Sequence, residues 1–470
     1  MIELSLAEIT SIVSGDLVLP AASQYTESTR VAGTVETDSR LVSSGSIFFA
    51  LPGEVTDGHL FVDNAVTAGA SLVISERPLD IVVPHIVVAV GLDALAALAT
   101  AVVERVRSAG TLSVIGITGS NGKTTTKNML RAMLSAQAPT VAPQGSFNNQ
   151  VGAPISMLGI DYNTRYLIVE MGASGSGEIA RLVKIARPDI AVVLKVGLAH
   201  VGEFGGIDAV QRAKTEIVES LPASAVAVLN IDDNRVAAMA NSTNARVRYF
   251  GVSETAQTVA RNIDATATGT SFTLATAGTE TPVQLRILGE HHVFNALAAL
   301  SVTDELGIDR DAAIAALEAV PRAERWRMEV LTPGDGVVVI NDAYNASPDS
   351  MAAALRTLAQ ILRPGERSVA VLGEMAELGE FADEEHDRIG RMAVRLNVQK
   401  LIVVGHAARH IHNAAGLEGS WNGESMLVPT ADEAYAVLRE ELREWDVVLV
   451  KSSKSAGLRF LGDRLGGVTA

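Results

Sequence analysis

Short apolar runs separated by helical stretches dominate the middle of the chain. They occupy residues 112–117, 166–171, 190–196 and 225–230. Parallel strands that are covered on both faces have this continuous apolar character. Because the runs alternate with helical segments, the pattern predicts βαβ units and a parallel sheet with the rhythm of a nucleotide-binding fold.

The segment before this region has a more mixed pattern. Ser5 and Glu8 have the spacing of a capping box, and apolar residues follow at helical intervals, so a first helix is predicted. Short β-like runs follow at 47–50 and 71–74, between glycine and aspartate turns. A small mixed α/β unit is the expected result.

The last part of the chain repeats the strand-and-helix alternation. Apolar runs at 337–340, 369–372, 401–404 and 447–450 are spaced by helical segments. This arrangement predicts a second doubly wound sheet of the Rossmann-like type.

Two connections divide these regions. Asp93 is predicted to cap a helix that ends near Val106, and residues 108–110 are predicted to form a linker. A polar, threonine-rich piece at 262–281 and an alanine-rich helix from Asn295 precede the second connection at 321–327. The prediction is an α/β protein of three domains: a small mixed N-terminal domain, a central P-loop-type parallel-sheet ATPase domain and a C-terminal Rossmann-like domain, at 1–108, 109–321 and 322–470.

Length and composition agree with several soluble domains. A chain of 470 residues exceeds what one hydrophobic core usually serves, and 48% hydrophobic residues is ordinary for a globular protein. The net charge of -16 provides no basic field, so no nucleic-acid partner is expected. Without cysteine, any metal must have oxygen and nitrogen ligands.

Neither a membrane span nor a secretory signal is expected. The apolar stretch 81–103 is interrupted by Pro84, His85 and Asp93. The first basic residue is Arg30, so the start of the chain lacks the basic segment of a signal peptide. A cytoplasmic protein without membrane insertion is predicted.

The loop after the run at 112–117 has the composition of a phosphate-binding loop. Glycines let backbone N–H groups approach phosphate oxygens, Lys123 supplies a positive charge, and Thr124 is placed to ligate Mg²⁺. Ile117 stands where the strict pattern has its first glycine, and Gly119 comes two residues later. The predicted ATP-binding loop comprises Gly119, Ser120, Asn121, Gly122, Lys123, Thr124 and Thr125.

Three further residues have both a functional and an ordinary interpretation. Glu170 ends one apolar run and His200 follows another, so both could reach the loop at the carboxyl edge of the sheet and hold a second divalent ion. Taken singly, a strand-end glutamate is commonly solvated and a lone histidine is commonly structural. Lys214 lies on an amphipathic segment, where a solvated face is the default interpretation.

Polar residues near the other strand ends leave similar alternatives open. Asn230 and Asp232 could hold a nucleotide or form a turn. The segment 341–348 places acidic, aromatic and amide groups after a buried run, where either a ligand or a plain turn is expected. Arg327, at the second connection, could bring positive charge onto a γ-phosphate when a domain closes.

These motifs together resemble the Mur ligases of bacterial peptidoglycan synthesis, across nearly the whole chain. The matching segments, in family order, are 118–125, 170–173, His200, 213–216, Asn230 with Asp232, 289–295, 327–329 and 342–348. Four segments favour the branch of the family that adds a dipeptide: 146–154, 344–351, 372–379 and 450–454. The D-N-P-R segment typical of the ligases that add the third amino acid is absent from the sequence.

The resemblance implies a reaction and its ligands. A monomeric enzyme would join D-alanyl-D-alanine to UDP-N-acetylmuramoyl-tripeptide through an acyl phosphate, with ATP and two Mg²⁺ ions. Lys214 matches a lysine that is carbamylated in relatives. Lys195, Trp326, Ser452 and Lys454 depart from the residues usual in the family.

The resemblance also assigns roles to residues. Catalytic roles are implied for Lys123, His200, Lys214 and Arg327. The implied metal ligands are Thr124 and Glu170 on one ion, and His200 and Lys214 on the other. Nucleotide contacts beyond the loop are implied for Asn295, Arg327, Asp342 and Tyr344, and substrate contacts for Asp38, Ser39, Arg40, Asn148, Asn149, Asn345 and Pro348.

Two other functions fit the same central motifs. A related amide ligase, such as the third-residue Mur ligase or a folylpolyglutamate synthetase, would share the central domain and differ in the end domains. A nucleotide-binding regulatory module would bind ATP without releasing phosphate in response to an amine.

Overall fold

The computed structural model of the protein describes residues 1–21, 24–53, 56–143, 145–320, 324–419 and 421–468. Within these ranges the chain forms three α/β units, as predicted, each with its own main sheet. Pro321, Arg322 and Ala323, part of the predicted second connection, lie outside the described residues. The positions of the predicted domain boundaries therefore stay predictions.

The first unit is the predicted mixed α/β domain. The predicted capping box is present, with Glu8 N donating to Ser5 Oγ and Ser5 N donating to Glu8 Oε2. The main sheet has the order β2-β7-β6-β5-β4, with only β2 antiparallel, and a small β1–β3 pair lies beside it. The elements are β1 Leu4–Ser5, α1 Leu6–Val13, β2 Asp16–Val18, β3 Arg30–Val31, β4 Val35–Glu36, β5 Ile47–Ala50, α2 Val62–Thr67, β6 Leu72–Ser75, β7 His85–Val87 and α3 Gly91–Ala109.

Helix α3 corrects two predictions about the first connection. The helix begins at Gly91, and the side chain of its N-cap residue, Val90, makes no capping hydrogen bond. Asp93 therefore lies in the first turn, where its carboxylate pairs with Arg181 of the central unit. The helix also continues through Ala109, so most of the predicted linker is helical. The helix can begin before Asp93 because the N–H of Gly91 donates to Glu76 Oε1 at 2.7 Å, a tertiary contact that meets one of the N–H groups left free at the start of a helix.

The central unit contains the predicted strands at the predicted positions. Its sheet has the order β16-β15-β14-β13-β12-β11-β8-β10-β9, and all pairs from β9 to β14 are parallel. The elements are β8 Ser113–Thr118, α4 Lys123–Ser135, β9 Thr140–Val141, α5 Gly152–Met157, β10 Tyr166–Glu170, α6 Glu178–Ala186, β11 Ile190–Val193, α7 Val201–Phe204, α8 Ile207–Glu219, β12 Val226–Asn230, α9 Asn234–Ala237, β13 Arg246–Gly251, β14 Thr258–Thr266, β15 Gly269–Thr276, β16 Thr279–Leu285, α10 His291–Glu305 and α11 Arg310–Glu318.

The threonine-rich piece at 262–281 belongs to this sheet. It contributes to β14, β15 and β16, which add an antiparallel edge to the parallel strands. Threonine is common in strands because its branched side chain suits a pleated, half-buried surface. From Thr270 onward, buried and partly buried positions of β15 alternate, as expected for a strand with one face nearer to solvent.

The third unit is the predicted doubly wound sheet. Its order is β17-β18-β22-β19-β20-β21, and only the edge strand β17 is antiparallel. The elements are β17 Glu329–Leu331, β18 Val338–Asn341, α12 Pro348–Ile361, β19 Arg367–Leu372, α13 Ala382–Arg395, β20 Lys400–Val404, α14 Arg409–Leu417, β21 Glu424–Val428, α15 Ala431–Glu441, β22 Asp446–Lys451 and α16 Leu458–Leu465.

Strand order places the candidate site. In the central sheet β8 lies between β10 and β11. After β8 the chain adds β9 and β10 on one side of it and then crosses to β11 on the other side. Ligands of open α/β sheets bind at such a point, outside the carboxyl ends of the strands. The predicted phosphate loop follows β8, Glu170 is the last residue of β10, and the segment leading to His200 follows β11. None of the helices that the structure describes combines the length and apolar character needed to cross a bilayer.

Candidate active site

The predicted phosphate loop joins β8 to α4 and contains two glycines with positive φ angles. Gly119 and Gly122 have φ angles of 155° and 87°, and Gly122 has no side chain to cap α4. A Cβ on Gly122 would lie 2.3 Å from Asn295 Oδ1, so only glycine fits there. The N–H groups of the first turn of α4 are therefore free to face an anion.

Lys123 is held inside the loop. Its Nζ donates to Gly119 O at 2.6 Å. Burial lowers the pKa of Lys123, an effect that the nearby Glu170 carboxylate opposes and Arg327 reinforces. This amine lies where it can exchange the Gly119 carbonyl for a phosphate oxygen.

Glu170 and Thr124 form an oxygen-rich corner beneath the loop. Thr124 Oγ1 donates to Glu170 Oε1 at 3.2 Å, and Asn148 Nδ2 donates to the same oxygen at 3.0 Å. Glu170 is 1% exposed, and its Oε2 has no hydrogen-bond partner among the described residues. A buried carboxylate oxygen without a partner is costly unless a cation or donor completes it. Hard oxygen ligands of this kind fit Mg²⁺.

Lys214 contradicts the solvated-face interpretation. It lies in α8 and is 4% exposed, on the side of the helix that packs into the domain. Burial, with the charge of Lys123 as a smaller cause, lowers the pKa of Lys214 to about 7. The amine is therefore poised to lose its proton near neutral pH, and a neutral amine is a nucleophile.

His200 lies near this lysine, at the start of α7. Its φ of 60° is unusual for a residue other than glycine. Burial is the largest cause that lowers the pKa of His200, and the charges of Lys123 and Lys214 add to it. His200 Nδ1 is 2.6 Å from Glu377 Oε2 of the third unit. The lowered pKa favours the neutral imidazole, which is the form that binds a metal, whereas the nearby Glu203 carboxylate acts in the opposite direction.

Arg327 crosses from the third unit to the phosphate loop. Its Nη2 donates to Ser146 Oγ at 3.0 Å and to Thr124 Oγ1 at 3.3 Å. Its guanidinium lies over the Tyr344 ring, 4.1 Å from the centroid. Trp326 and Met328 on either side have φ angles of 62° and 51°. Such backbone strain clusters at functional sites, where the surrounding structure enforces it.

Residues at the strand ends of the third unit form the opposite wall. Asp342 accepts from Met328 N at 2.9 Å and pairs with Lys451 Nζ at 2.6 Å. Lys451 Nζ also donates to Asn345 O. The Asp342 carboxylate is thus already paired with other residues of the protein. Tyr344 and Asn345 line the space between the two sheets.

These walls enclose a cavity of about 380 Å³. Its lining brings together Ser120, Asn121, Gly122, Lys123, Thr124, Thr125, Asn148, Glu170, His200, Asn295, Arg327, Asp342, Tyr344 and Asn345. Lys214 is not part of the described lining and lies behind it. Asn149 accepts N–H groups of its own turn, and Pro348 is the buried first residue of α12.

The predicted sugar contacts lie elsewhere. Asp38, Ser39 and Arg40 belong to the first unit and do not line this cavity. Arg40 instead donates to the Asp38 carboxylate beside it. The structure therefore does not bring them to the phosphate loop.

A second cavity of about 680 Å³ adjoins the first. The residues that line both cavities are Asn121, Gly122, Lys195, His291, Asn295, Asp349 and Ala353. Asn230 and Asp232, for which a turn and a nucleotide contact were both open, line the second cavity. The turn is also present, since Asp232 N donates to Asn230 Oδ1 at 3.0 Å. The Asp232 carboxylate accepts from Val252 N and Ser253 N, which follow β13.

The sequence interpretation missed the ion pair that joins the two walls. Lys195 Nζ is 2.9 Å from Asp349 Oδ1, and Leu198 N donates to Asp349 Oδ2 at 3.1 Å. Lys195 stood out only as a departure from the family pattern. The unusual lysine was the available signal in the sequence. Its pairing with Asp349, in the first turn of α12, depends on how the domains meet.

A second contact between the central and third units is tightly packed. Gly202 of α7 donates from its N–H to Glu377 O at 3.1 Å. A Cβ on Gly202 would lie 2.5 Å from Gly379 N and 2.6 Å from Leu378 C. We call this contact, formed by Gly202 with residues 377–379, the interdomain seam.

Comparison with known proteins agrees with this geometry. The sequence matches the Mur ligase family catalytic domain at residues 33–115, the Mur ligase middle domain at 117–303 and the Mur ligase glutamate ligase domain at 326–454. A protein of Mycobacterium bovis named "UDP-N-acetylmuramoyl-tripeptide--D-alanyl-D-alanine ligase" is 46% identical, over 99% of this chain and 98% of its own. The chain belongs to the Mur ligase family.

Solved structures of Mur ligases have the same arrangement. MurF from Acinetobacter baumannii superimposes with a TM-score of 0.88 and 30% identity, covering 99% of both chains. MurF from Thermotoga maritima, solved in complex with ADP, gives a TM-score of 0.81 at 28% identity over 93% of this chain and 98% of that one. The predicted three-domain α/β fold and the resemblance to Mur ligases are confirmed.

Proposed function

We propose that this Mur ligase joins D-alanyl-D-alanine to UDP-N-acetylmuramoyl-tripeptide and gives the pentapeptide precursor of peptidoglycan. The reaction forms a peptide bond and converts ATP to ADP and phosphate. One observation carries the proposal: the phosphate loop faces the strand ends of the third domain across one cavity, in a chain that matches dipeptide ligases along its whole length. With these substrates the enzyme acts in the cytoplasm and serves cell shape and division.

The chemistry must bring two anions together. A carboxylate oxygen of the tripeptide attacks the γ-phosphorus of ATP, the bond to the bridging oxygen breaks, and ADP leaves. The amine of the dipeptide then attacks the carbonyl carbon of the acyl phosphate, phosphate leaves, and the amine gives up a proton. Lys123 and Arg327 offset the charge that accumulates, and domain contacts exclude water.

The oxygen-rich corner fits a divalent cation. Thr124 and Glu170 would hold one Mg²⁺, which would neutralise phosphate charge when bound. His200 and carbamylated Lys214 would hold a second ion. The low pKa of Lys214 supports this assignment, because only the neutral amine can take up CO₂ to form a carbamate.

The remaining substrate contacts are proposed from the family pattern. Asp38, Ser39 and Arg40 of the first domain would contact the UDP-sugar, and Asn148 and Asn345 the peptide portions. The second cavity adjoins the phosphate loop on the side of Asn295, so the nucleoside of ATP would lie there. We propose domains at 1–108, 109–321 and 322–470, and a monomer.

Phosphate release tests the proposed function directly. It should require ATP, UDP-N-acetylmuramoyl-tripeptide and D-alanyl-D-alanine together, with each omission abolishing it. Release that ignores the dipeptide would sink the proposal. Activity with free amino acids instead of the dipeptide would favour a third-residue ligase or a folylpolyglutamate synthetase, and ATP binding without release would favour a regulatory module.

Glu170→Gln should raise the Mg²⁺ concentration that gives half the maximal rate by about 10-fold or more. The amide keeps an oxygen that can accept from Asn148 but lacks the charge that attracts a cation. The measurement is a Mg²⁺ titration of the rate, with Mn²⁺ binding followed by electron paramagnetic resonance. Glu219→Gln, an exposed change on α8, is the control, and an unchanged Mg²⁺ requirement in Glu170→Gln contradicts the assignment.

A further inference from the structure

A second lysine of α4 is buried and has no part in the mechanism above. Lys127 lies one turn after Lys123 and is 0% exposed. It does not line either cavity described here. A buried ammonium is costly unless its donors are paired, so its partners indicate what it does.

The partners of Lys127 come from two places. Its Nζ donates to Pro143 O at 2.9 Å and to Gly145 O at 2.6 Å, in the loop that leads to Ser146. It also reaches Glu324 Oε1 at 3.4 Å, in the segment that enters the third domain. One ammonium thus ties both a loop of the central domain and the start of the next domain to the phosphate-loop helix.

Arg327 contacts both places as well, through Ser146 at the end of that loop and through Glu324. Ser146 Oγ accepts from Arg327 Nη2, and Glu324 Oε2 is 3.7 Å from Arg327 Nε. That Nε is buried and has no hydrogen-bond partner among the described residues. The Glu324 carboxylate is the negative charge that faces the Nε edge of the guanidinium. Arg327 Nη2 also donates a hydrogen bond to Thr124 Oγ1 of α4.

These contacts begin and end on the same turn of α4. Thr124 and Lys127 are three residues apart in α4, and side chains at this spacing lie on the same face. Residues 324–327 are therefore bound to that face at both ends, by Glu324 to Lys127 and by Arg327 to Thr124.

We propose that Lys127 is a positioning residue that holds Arg327 at the phosphate site, through Glu324 and the loop carrying Ser146. The inference rests on the proposed function, in which Arg327 offsets charge during phosphoryl transfer. It assigns Lys127 no contact with substrate. A lysine that only supported the helix would affect stability and would not be coupled to Arg327.

A double-mutant cycle tests this role. Lys127→Met keeps the length of the side chain and removes the charge, and it should lower kcat about 10- to 100-fold with a much smaller change in KM for ATP. In an Arg327→Ala background the same change should lower kcat less than about 3-fold, because the residue it positions is gone. Lys184→Met, at an exposed lysine, should match the wild type.

A second variant and a second readout keep the test decisive. If Lys127→Met does not fold, Glu324→Gln, at a partly exposed residue, replaces it in the cycle and should also show non-additivity with Arg327→Ala. The same cycle is measured by calorimetry with ADP and aluminium fluoride, which together mimic the phosphoryl group during transfer and therefore report the contact proposed for Arg327, so it stands even if wild-type phosphate release ignores the dipeptide and the proposed function fails. Additive losses in both readouts, or unchanged kcat in Lys127→Met, overturn the inference.

Discussion

Lys214→Ala should lower kcat about 100- to 1,000-fold, a loss typical of removing a group that stabilises transition-state charge. In the proposed mechanism the carbamate of Lys214 supplies a negative oxygen ligand for the second Mg²⁺, and alanine supplies none. The space left by the lysine side chain should admit small anions. Acetate or formate should therefore restore part of the activity, measured as dipeptide-dependent phosphate release.

The control is an exposed lysine of the same domain. Lys184→Ala removes the same side chain from the surface of α6 and should keep wild-type activity, with or without acetate. Labelled bicarbonate should give a carbamate signal in the nuclear magnetic resonance spectrum of the wild type, and Lys214→Ala should lack it. Full activity of Lys214→Ala without added carboxylate would show that the assignment is wrong.

This lysine also shows what a sequence can and cannot predict. The runs that became β8, β10 and β11 were predictable because strands buried on both faces are apolar throughout. Strand order then brought Glu170 and His200 to the phosphate loop, as the shared carboxyl edge implied. The position of Lys214 on α8 was equally clear, but helical periodicity treats a lysine as polar. Its burial depends on the packing of α8 against the rest of the domain.

Contacts between domains were the least predictable part. The Lys195–Asp349 pair joins residues 154 positions apart, and no local pattern relates them. The misplaced cap at Asp93 has a related cause, since the first N–H group of α3 donates to Glu76, which lies outside the local capping pattern. Phosphate-loop geometry is local and was predicted, whereas the wall opposite it exists only when the third domain is in place.

Gly202→Ala should lower kcat about 100-fold by blocking the interdomain seam, since a misplacement of about 1 Å at a reacting centre can cost this much. The added Cβ would lie 2.5 Å from Gly379 N and 2.9 Å from Glu377 O, and both of these are backbone atoms that cannot rotate away. Gly202 lies within α7 and is not among the glycines with positive φ, so alanine itself suits the helix. The defect should therefore arise from the seam alone.

Separate measurements of binding and turnover locate this defect. The phosphate loop and the first domain are untouched by Gly202→Ala, so the affinity for an ATP analogue and for UDP-N-acetylmuramoyl-tripeptide should change little while kcat falls. Gly175→Ala is the matched control, because a Cβ there would meet only Glu178 Oε1, at 3.8 Å. Small-angle X-ray scattering with both substrates bound should show a more extended Gly202→Ala enzyme than the wild type. Wild-type kcat in Gly202→Ala would mean that catalysis does not need the third domain as close as the seam places it, and Arg327 would then have to reach the phosphates from a more open arrangement.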